Sequence, residues 1–200
     1  MTILAVSKTK PLEMIENAYQ AGHRQFGESY VQEAVEKVQA LKHHPDIEWH
    51  FIGPVQSNKS RLVAENFCWV QSVDREKLAK RLNEQRPNNL RPLNILIQVN
   101  ISNDEKKSGC TLNDIDSLAA FIENSRQLNL RGLMTITENT PDKAKQLEYF
   151  QQMRACFDKL QLQYPQVDTL SMGMSGDLET AISAGSTMVR IGTDIFGKRQ

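Results

Sequence analysis

The chain lacks a charge imbalance: its 24 Lys and Arg residues cancel its 24 Asp and Glu residues, so no global field would draw it to nucleic acid or to an anionic membrane. Any anion must therefore be caught locally. Cysteine is scarce as well. Cys68, Cys110 and Cys156 are odd in number, far apart and without a C-x-x-C spacing, which argues against both a disulfide framework and a zinc site and suits a reducing cytosol. Long apolar runs are missing. The apolar start, Ile3 to Val6, is too short for a signal-peptide core, and no later run nears the roughly 20 residues that a membrane span needs. No break in composition marks a second domain or a disordered tail, and residues 1–200 supply enough length for one proper core. The expectation is a single soluble, cytoplasmic domain with no nucleic-acid partner, no membrane partner and no metal, most simply a monomer.

Short strand candidates alternate with helical stretches along the whole chain. Strands are predicted at Ile3 to Ser7, Gln25 to Gly27, Glu48 to Ile52, Trp69 to Ser72, Asn94 to Asn100, Leu130 to Thr135, Thr169 to Ser171 and Met188 to Ile191. Helices are predicted at Pro11 to Ala21, Tyr30 to Leu41, Lys59 to Asn66, Arg75 to Gln85, Asn113 to Ser125, Asp142 to Tyr164 and Leu178 to Ala184. Pro11 suits a first helical turn, Gly22 and Gly185 suit helix ends, and Asp74 and Asp177 suit N-caps. This α/β alternation points to a single-domain (β/α)8 TIM-type barrel. An open doubly wound sheet is the alternative, but Lys8-Thr9-Lys10-Pro11 stands where its Gly-rich dinucleotide loop would follow the first strand. In the fifth strand, Ile95, Ile97, Val99 and Ile101 share one face, which should meet helices. Asn94, Leu96, Gln98 and Asn100 share the other, which should line the barrel, with ordinary hydrogen bonding as the simplest account of its polar members.

Barrels of this kind carry their reactive groups at the carboxyl ends of the strands, often with a phosphate site after strands seven and eight. Lys8 ends the first strand behind Leu4 and Val6 on its own face, so its stem leaves an apolar environment that favours the neutral amine, a nucleophile toward aldehydes. Lys10 has the same parity but stands before Pro11, nearer solvent. Gly173-Met174-Ser175-Gly176-Asp177 follows strand seven and Gly192-Thr193 follows strand eight, so that Ser175, Gly192 and Thr193 offer hydroxyls and backbone amides to a phosphate. An amine that condenses with an aldehyde, facing a phosphate cradle, matches pyridoxal 5'-phosphate, which carries both groups. Arg190 shares the inward face of Met188 and needs a buried acceptor: a carboxylate in an internal salt bridge, a carbonyl, or a ligand atom such as a pyridine nitrogen. His50 reads as a hydrogen-bonded barrel residue, and no residue is assigned a catalytic role. Asp104 to Gly109, after strand five, could contribute a cation to the mouth, with a solvated charged loop as the stronger reading.

Several blocks, in order, closely resemble the pyridoxal phosphate homeostasis proteins, the alanine-racemase-like, fold-type III family. They are Ala5 to Pro11, Phe26 to Glu33, His50 to Gly53 with Gln56 to Lys59, Lys107 to Gly109, Arg131 to Met134, Leu170 to Ser175 and Val189 to Thr193. The resemblance implies an alanine racemase N-terminal-domain-like barrel, with Lys8 as the Schiff-base lysine, Arg190 near the pyridine nitrogen, and Ser175, Gly192 and Thr193 around the phosphate. It further implies a protein that buffers or delivers the cofactor, exchanging it with amino acids and transiently with apo-enzymes. Ser29 stands where the family pattern has asparagine, and the helix expected before the first strand is not seen in the sequence. The alternative is a PLP-dependent amino-acid racemase or related isomerase. Against it, racemases of this type carry a further β-domain supplying a catalytic tyrosine, whereas only Lys198, Arg199 and Gln200 follow Phe196-Gly197. A cofactor-free Schiff-base aldolase would also use a strand-end lysine.

Overall fold

The computed structural model describes residues 1–138 and 140–197. Eight strands, β1 (Thr2–Val6), β2 (Gln25–Glu28), β3 (Glu48–Phe51), β4 (Trp69–Val73), β5 (Leu93–Gln98), β6 (Leu128–Met134), β7 (Thr169–Met174) and β8 (Met188–Ile191), form a closed barrel in chain order. Each pairs in parallel with the next, and β8 returns to β1 with Ile191 opposite Ala5. Closure abolishes the exposed edges that an open sheet would leave. Helices α1 (Leu12–Gln20), α2 (Val31–Ala40), α3 (Ser60–Asn66), α4 (Glu76–Gln85), α5 (Ile115–Glu123), α6 (Lys143–Gln163) and α7 (Leu178–Ser183) connect the strands, and a short α8 (Thr193–Phe196) follows β8.

The two faces of each strand serve two cores. Ile95, Ile97, Val99 and Ile101 enter the large apolar layer between sheet and helices, as their parity predicts. Leu96 points the other way and packs with Trp69 and Met134 inside the barrel. In the outer layer Phe26, Phe51, Phe67, Phe150 and Phe157 are all but completely buried. Phe51 and Phe67 meet edge to face at 5.2 Å. Each such ring contributes roughly 1.5–3 kcal/mol of transfer free energy, which makes this layer the main source of stability.

Local punctuation departs from expectation in three places. Pro11 lies just outside α1, as its N-cap residue in extended conformation. Arg75, not Asp74, occupies the N-cap of α4. Asp177 does cap α7 by position, but its side chain turns back to accept from the Met174 amide rather than from the helix. Gly22 and Gly185 follow helix ends with positive φ, as predicted. Gly132 has a stronger reason to be glycine: a Cβ there would sit 1.9 Å from the Thr169 carbonyl oxygen, beside the register irregularity between β5 and β6. The three thiols are free, and no helix among the described residues is long and apolar enough to cross a membrane. Lys198, Arg199 and Gln200, on which the expectation about the chain end rested, lie outside the described residues.

Candidate functional site at the barrel mouth

The strand register brings the predicted residues to one end of the barrel. Met174 pairs with Arg190 across β7 and β8, and Ala5 with Ile191 across β8 and β1, so the Ser175 turn, Gly192-Thr193 and Lys8 leave three neighbouring strands on the same carboxyl-end face. Gly192 lies against β1: a Cβ built on it would stand 3.5 Å from the Val6 carbonyl oxygen. Ser175 is exposed on a tight turn closed at both ends by Asp177, which accepts from Met174 N at 2.6 Å and donates its own N–H to Met174 O at 3.0 Å. Thr193 is exposed as the first residue of α8.

Lys8 is half-buried and lines a cavity of about 570 Å³ with Ser29, Ile52, Gly53, Pro54 and Ile136. A second cavity of about 490 Å³, reaching Met174, Gly176 and Asp177, shares Ile136 with the first and Lys107 with the loop after β5. Gly53 sets the wall beside Lys8. A Cβ there would lie 2.2 Å from the Ser29 carbonyl oxygen, so only glycine lets the loops after β2 and β3 touch.

Arg190 points into the barrel, 3 % exposed, and donates from Nη1 to Ser171 Oγ at 2.8 Å and from Nη2 to Thr135 O at 2.8 Å. The internal salt bridge weighed from the sequence is not what holds it: among the described residues its acceptors are a hydroxyl and a carbonyl. Burial pulls its guanidinium down to about 10, with Asp177 acting in the opposite direction, so it stays protonated at neutral pH. The chain of contacts continues inward. Ser171 Oγ donates to Gln71 Oε1 at 2.7 Å, and Gln71 Nε2 lies 3.0 Å from His50 Nδ1. His50 stacks on Trp69 at 5.0 Å and is buried, its Nε2 without a hydrogen-bond partner among the described residues. Desolvation lowers its pKa to about 3. It is a hydrogen-bonded barrel residue, as expected, and a neutral one.

Two expectations about neighbouring lysines need correction. Lys10 is not simply solvated: its Nζ donates at 3.0 Å to the carbonyls of both Phe196 and Gly197, bracing α8 against β1. Nor is the loop from Asp104 to Gly109 only a solvated run of charge. Asn100 Nδ2 donates to Asp104 O and Lys107 O, Gln98 Nε2 donates to Ser108 O, and Lys106 and Lys107 line the mouth. The hydrogen bonding of Gln98 and Asn100 is the ordinary kind anticipated for them.

Sequence reasoning missed the group behind Lys8, formed by the buried Ser7, Glu28 and Lys37 with the partly exposed Glu33, and the Ser171 and Gln71 side chains that lead away from Arg190. The i,i+4 spacing of Glu33 and Lys37 was one available signal. The alternation that turns Lys8 toward the mouth, and hence Ser7 toward α2, was another.

Residues 1–200 match the family described as alanine racemase, N-terminal domain. The chain is 59% identical to the pyridoxal phosphate homeostasis protein of Vibrio alginolyticus, over 98% of this chain and 86% of that protein. It is 55% identical to the protein of the same name from Escherichia coli K12, over 100% of this chain and 86% of that one. Among solved structures, PipY of Synechococcus elongatus with PLP bound is 38% identical with a TM-score of 0.90, covering 98% of this chain and 92% of that one. An alanine racemase from Corynebacterium glutamicum, 17% identical with a TM-score of 0.72, shares the fold over 99% of this chain and 56% of its own. A barrel closed in chain order, matched end to end at these identities, makes the chain a member of the alanine racemase N-terminal domain family and, within it, of the pyridoxal phosphate homeostasis proteins.

Proposed function

We propose that this protein binds pyridoxal 5'-phosphate reversibly at the barrel mouth and serves its intracellular supply, holding the cofactor as a lysine Schiff base and buffering or delivering it. The observation that carries the reading is Arg190: a buried, protonated guanidinium whose acceptors among the described residues are a hydroxyl and a carbonyl, on the strand beside the exposed Ser175 turn. Such a group has donor capacity to spare for a neutral ring nitrogen. When bound, the cofactor offers an electrophilic aldehyde carbon and a phosphate dianion. Lys8 supplies the amine from a half-buried position, where partial desolvation favours attack. Ser175 and Thr193 present hydroxyls, and Gly192 lets backbone amides approach the phosphate without a side chain in the way. The residues present fit the group at each of its ends.

The protein is proposed to work in the cytoplasm, passing its cofactor to apo-enzymes and exchanging it with amino acids without efficient turnover. A protonated Arg190 donating to the pyridine nitrogen would keep that nitrogen unprotonated and so make the ring a weaker electron sink. Borohydride treatment of PLP-loaded protein, followed by peptide mapping, tests the site. A reduced pyridoxyl group on Lys8 is expected; its recovery on Lys10 or Lys107 with Lys8 unmodified would overturn the assignment.

A further inference from the structure

Lys8 stands between two residues that are both hydrogen-bonded to one ionic cluster, buried at its Glu28 and Lys37 end. On one side, Ser7 Oγ donates to Glu28 Oε1 at 2.6 Å, and the Ser7 carbonyl accepts from Lys37 Nζ at 2.8 Å and from the Lys10 amide at 3.0 Å. On the other side, the Thr9 amide donates to Glu33 Oε1 at 2.6 Å. Lys37 Nζ joins the halves, at 2.9 Å from Glu28 Oε1 and 2.5 Å from Glu33 Oε1. Glu28 and Lys37 are buried at 0% and 6% exposure, between β1, β2 and α2.

A cluster of this kind is costly. Lys37 is shared between the fully buried Glu28 and the partly exposed Glu33, Glu28 Oε2 has no hydrogen-bond partner among the described residues, and burial holds the Glu28 carboxyl above its ordinary range. A hydrophobic trio of similar volume would hold α2 on the barrel at lower cost. The backbone it grips is itself strained: Thr9 has φ +63, in the left-handed region that a β-branched residue avoids. That conformation lies in the turn that carries the chain from the end of β1 past Lys8, and the Glu33 carboxylate holds its amide.

We infer that Glu28, Lys37 and Glu33 are positioning residues that fix the backbone on both sides of Lys8, so that its amine is presented to the mouth in one orientation. The inference rests on the proposed covalent role of Lys8. Holding a nucleophile in place lowers the entropy cost of bond formation, and that benefit is felt only by a ligand that forms the bond. A ligand with the same ring and phosphate but no aldehyde gains nothing from it.

Pyridoxamine 5'-phosphate is such a ligand, and it separates positioning from general damage. Glu33→Ala removes the tie to Thr9 and is expected to weaken PLP binding about tenfold or more while changing pyridoxamine 5'-phosphate binding less than twofold. Glu33→Gln keeps a carbonyl acceptor for the Thr9 amide and should restore PLP affinity to within a few-fold of wild type. Thr9→Gly relieves the strain and loosens the same backbone; it should weaken PLP a few-fold with no fall in thermal midpoint. Equal losses for both ligands, or no loss for PLP in either Glu33→Ala or Thr9→Gly, would overturn the inference. A wild-type protein that yields no borohydride-reduced adduct on Lys8 would instead overturn the functional reading, and the positioning role with it.

Discussion

Arg190 gives one of its hydrogen bonds to the hydroxyl of Ser171, 2.8 Å away in the next strand, and through that hydroxyl a protonated group at the mouth is connected to the neutral centre of the barrel. Arg190 can only donate, so Ser171 Oγ accepts from it and directs its own proton to Gln71 Oε1, 2.7 Å away. The direction of each bond is thereby set, from Arg190 to Ser171 to Gln71. Gln71 Nε2 is then left as the donor toward His50 Nδ1.

Ser171→Ala should accordingly cost more than a single hydrogen bond. It leaves Gln71 Oε1 without its donor and one Arg190 N–H without its acceptor, in a site with no room for easy rehydration. Loss of a buried partner costs about 1–3 kcal/mol, toward the upper end where a charge is involved. Urea unfolding should register this loss. A change below about 0.5 kcal/mol would mean that the arginine finds another acceptor within the barrel.

His50 gives the stability curve an acid limb. Burial holds its folded-state pKa at about 3, against an ordinary value of 6.5, so between those values the unfolded chain binds the proton that the folded chain refuses. Stability is therefore full above pH 6.5 and falls as pH drops through this window, by up to about 1.4 kcal/mol per unit. Glu28, whose carboxyl is raised chiefly by burial, acts in the opposite sense just above the ordinary carboxylate range, because there the folded state holds the extra proton. Denaturation midpoints measured from pH 6.5 down to 4 should slope less steeply in His50→Gln than in the wild type. Parallel slopes would place the acid sensitivity elsewhere.

For the phosphate, the double variant Ser175→Ala with Thr193→Val should weaken PLP more than pyridoxal. Each hydroxyl removed takes away a hydrogen bond to a charged group, on the order of 1.5–3 kcal/mol, and pyridoxal has no phosphate to lose it. Both side chains are exposed, so folding should be little affected. Equal losses for the two ligands would put the phosphate outside this cradle.

The barrel and the placement of Lys8, Arg190, Ser175, Gly192 and Thr193 were legible in the sequence because they follow from period-two alternation and from the rule that barrel chemistry sits at the carboxyl ends of strands. Arg190 pointed inward because Met188 does. What alternation cannot supply is the partner. That Arg190 rests on Ser171 and Thr135 depends on the stagger between β6, β7 and β8, which includes a register shift invisible to local pattern. Lys10 illustrates the same gap: its parity matched that of Lys8, but its two carbonyl acceptors come from Phe196 and Gly197, nearly the full chain length away. The Glu28, Lys37 and Glu33 cluster was hidden because each residue, read alone, belongs to the ordinary charged complement of a helix or a strand end.

The last prediction concerns turnover. Racemisation requires a base that removes the α-proton, an acid on the opposite face and stabilisation of the carbanion between them. Lys8 provides one such group. His50 does not provide the second: it is sealed in the barrel against Trp69, holds no proton on Nδ1 toward Gln71, and would have to be driven to about pH 3 to gain one. Arg190 stays protonated and so cannot accept a proton, and in its proposed place at the ring nitrogen it would weaken carbanion stabilisation as well. PLP-saturated protein should therefore exchange its cofactor with alanine while catalysing little exchange at the α-carbon. Deuterium incorporation into L-alanine in heavy water, compared with free PLP at equal concentration, is the deciding measurement, and the protein should stay within about tenfold of the free cofactor. Lys8-dependent exchange with inversion at about 1 per second or faster would make the protein a racemase and overturn the proposed supply role.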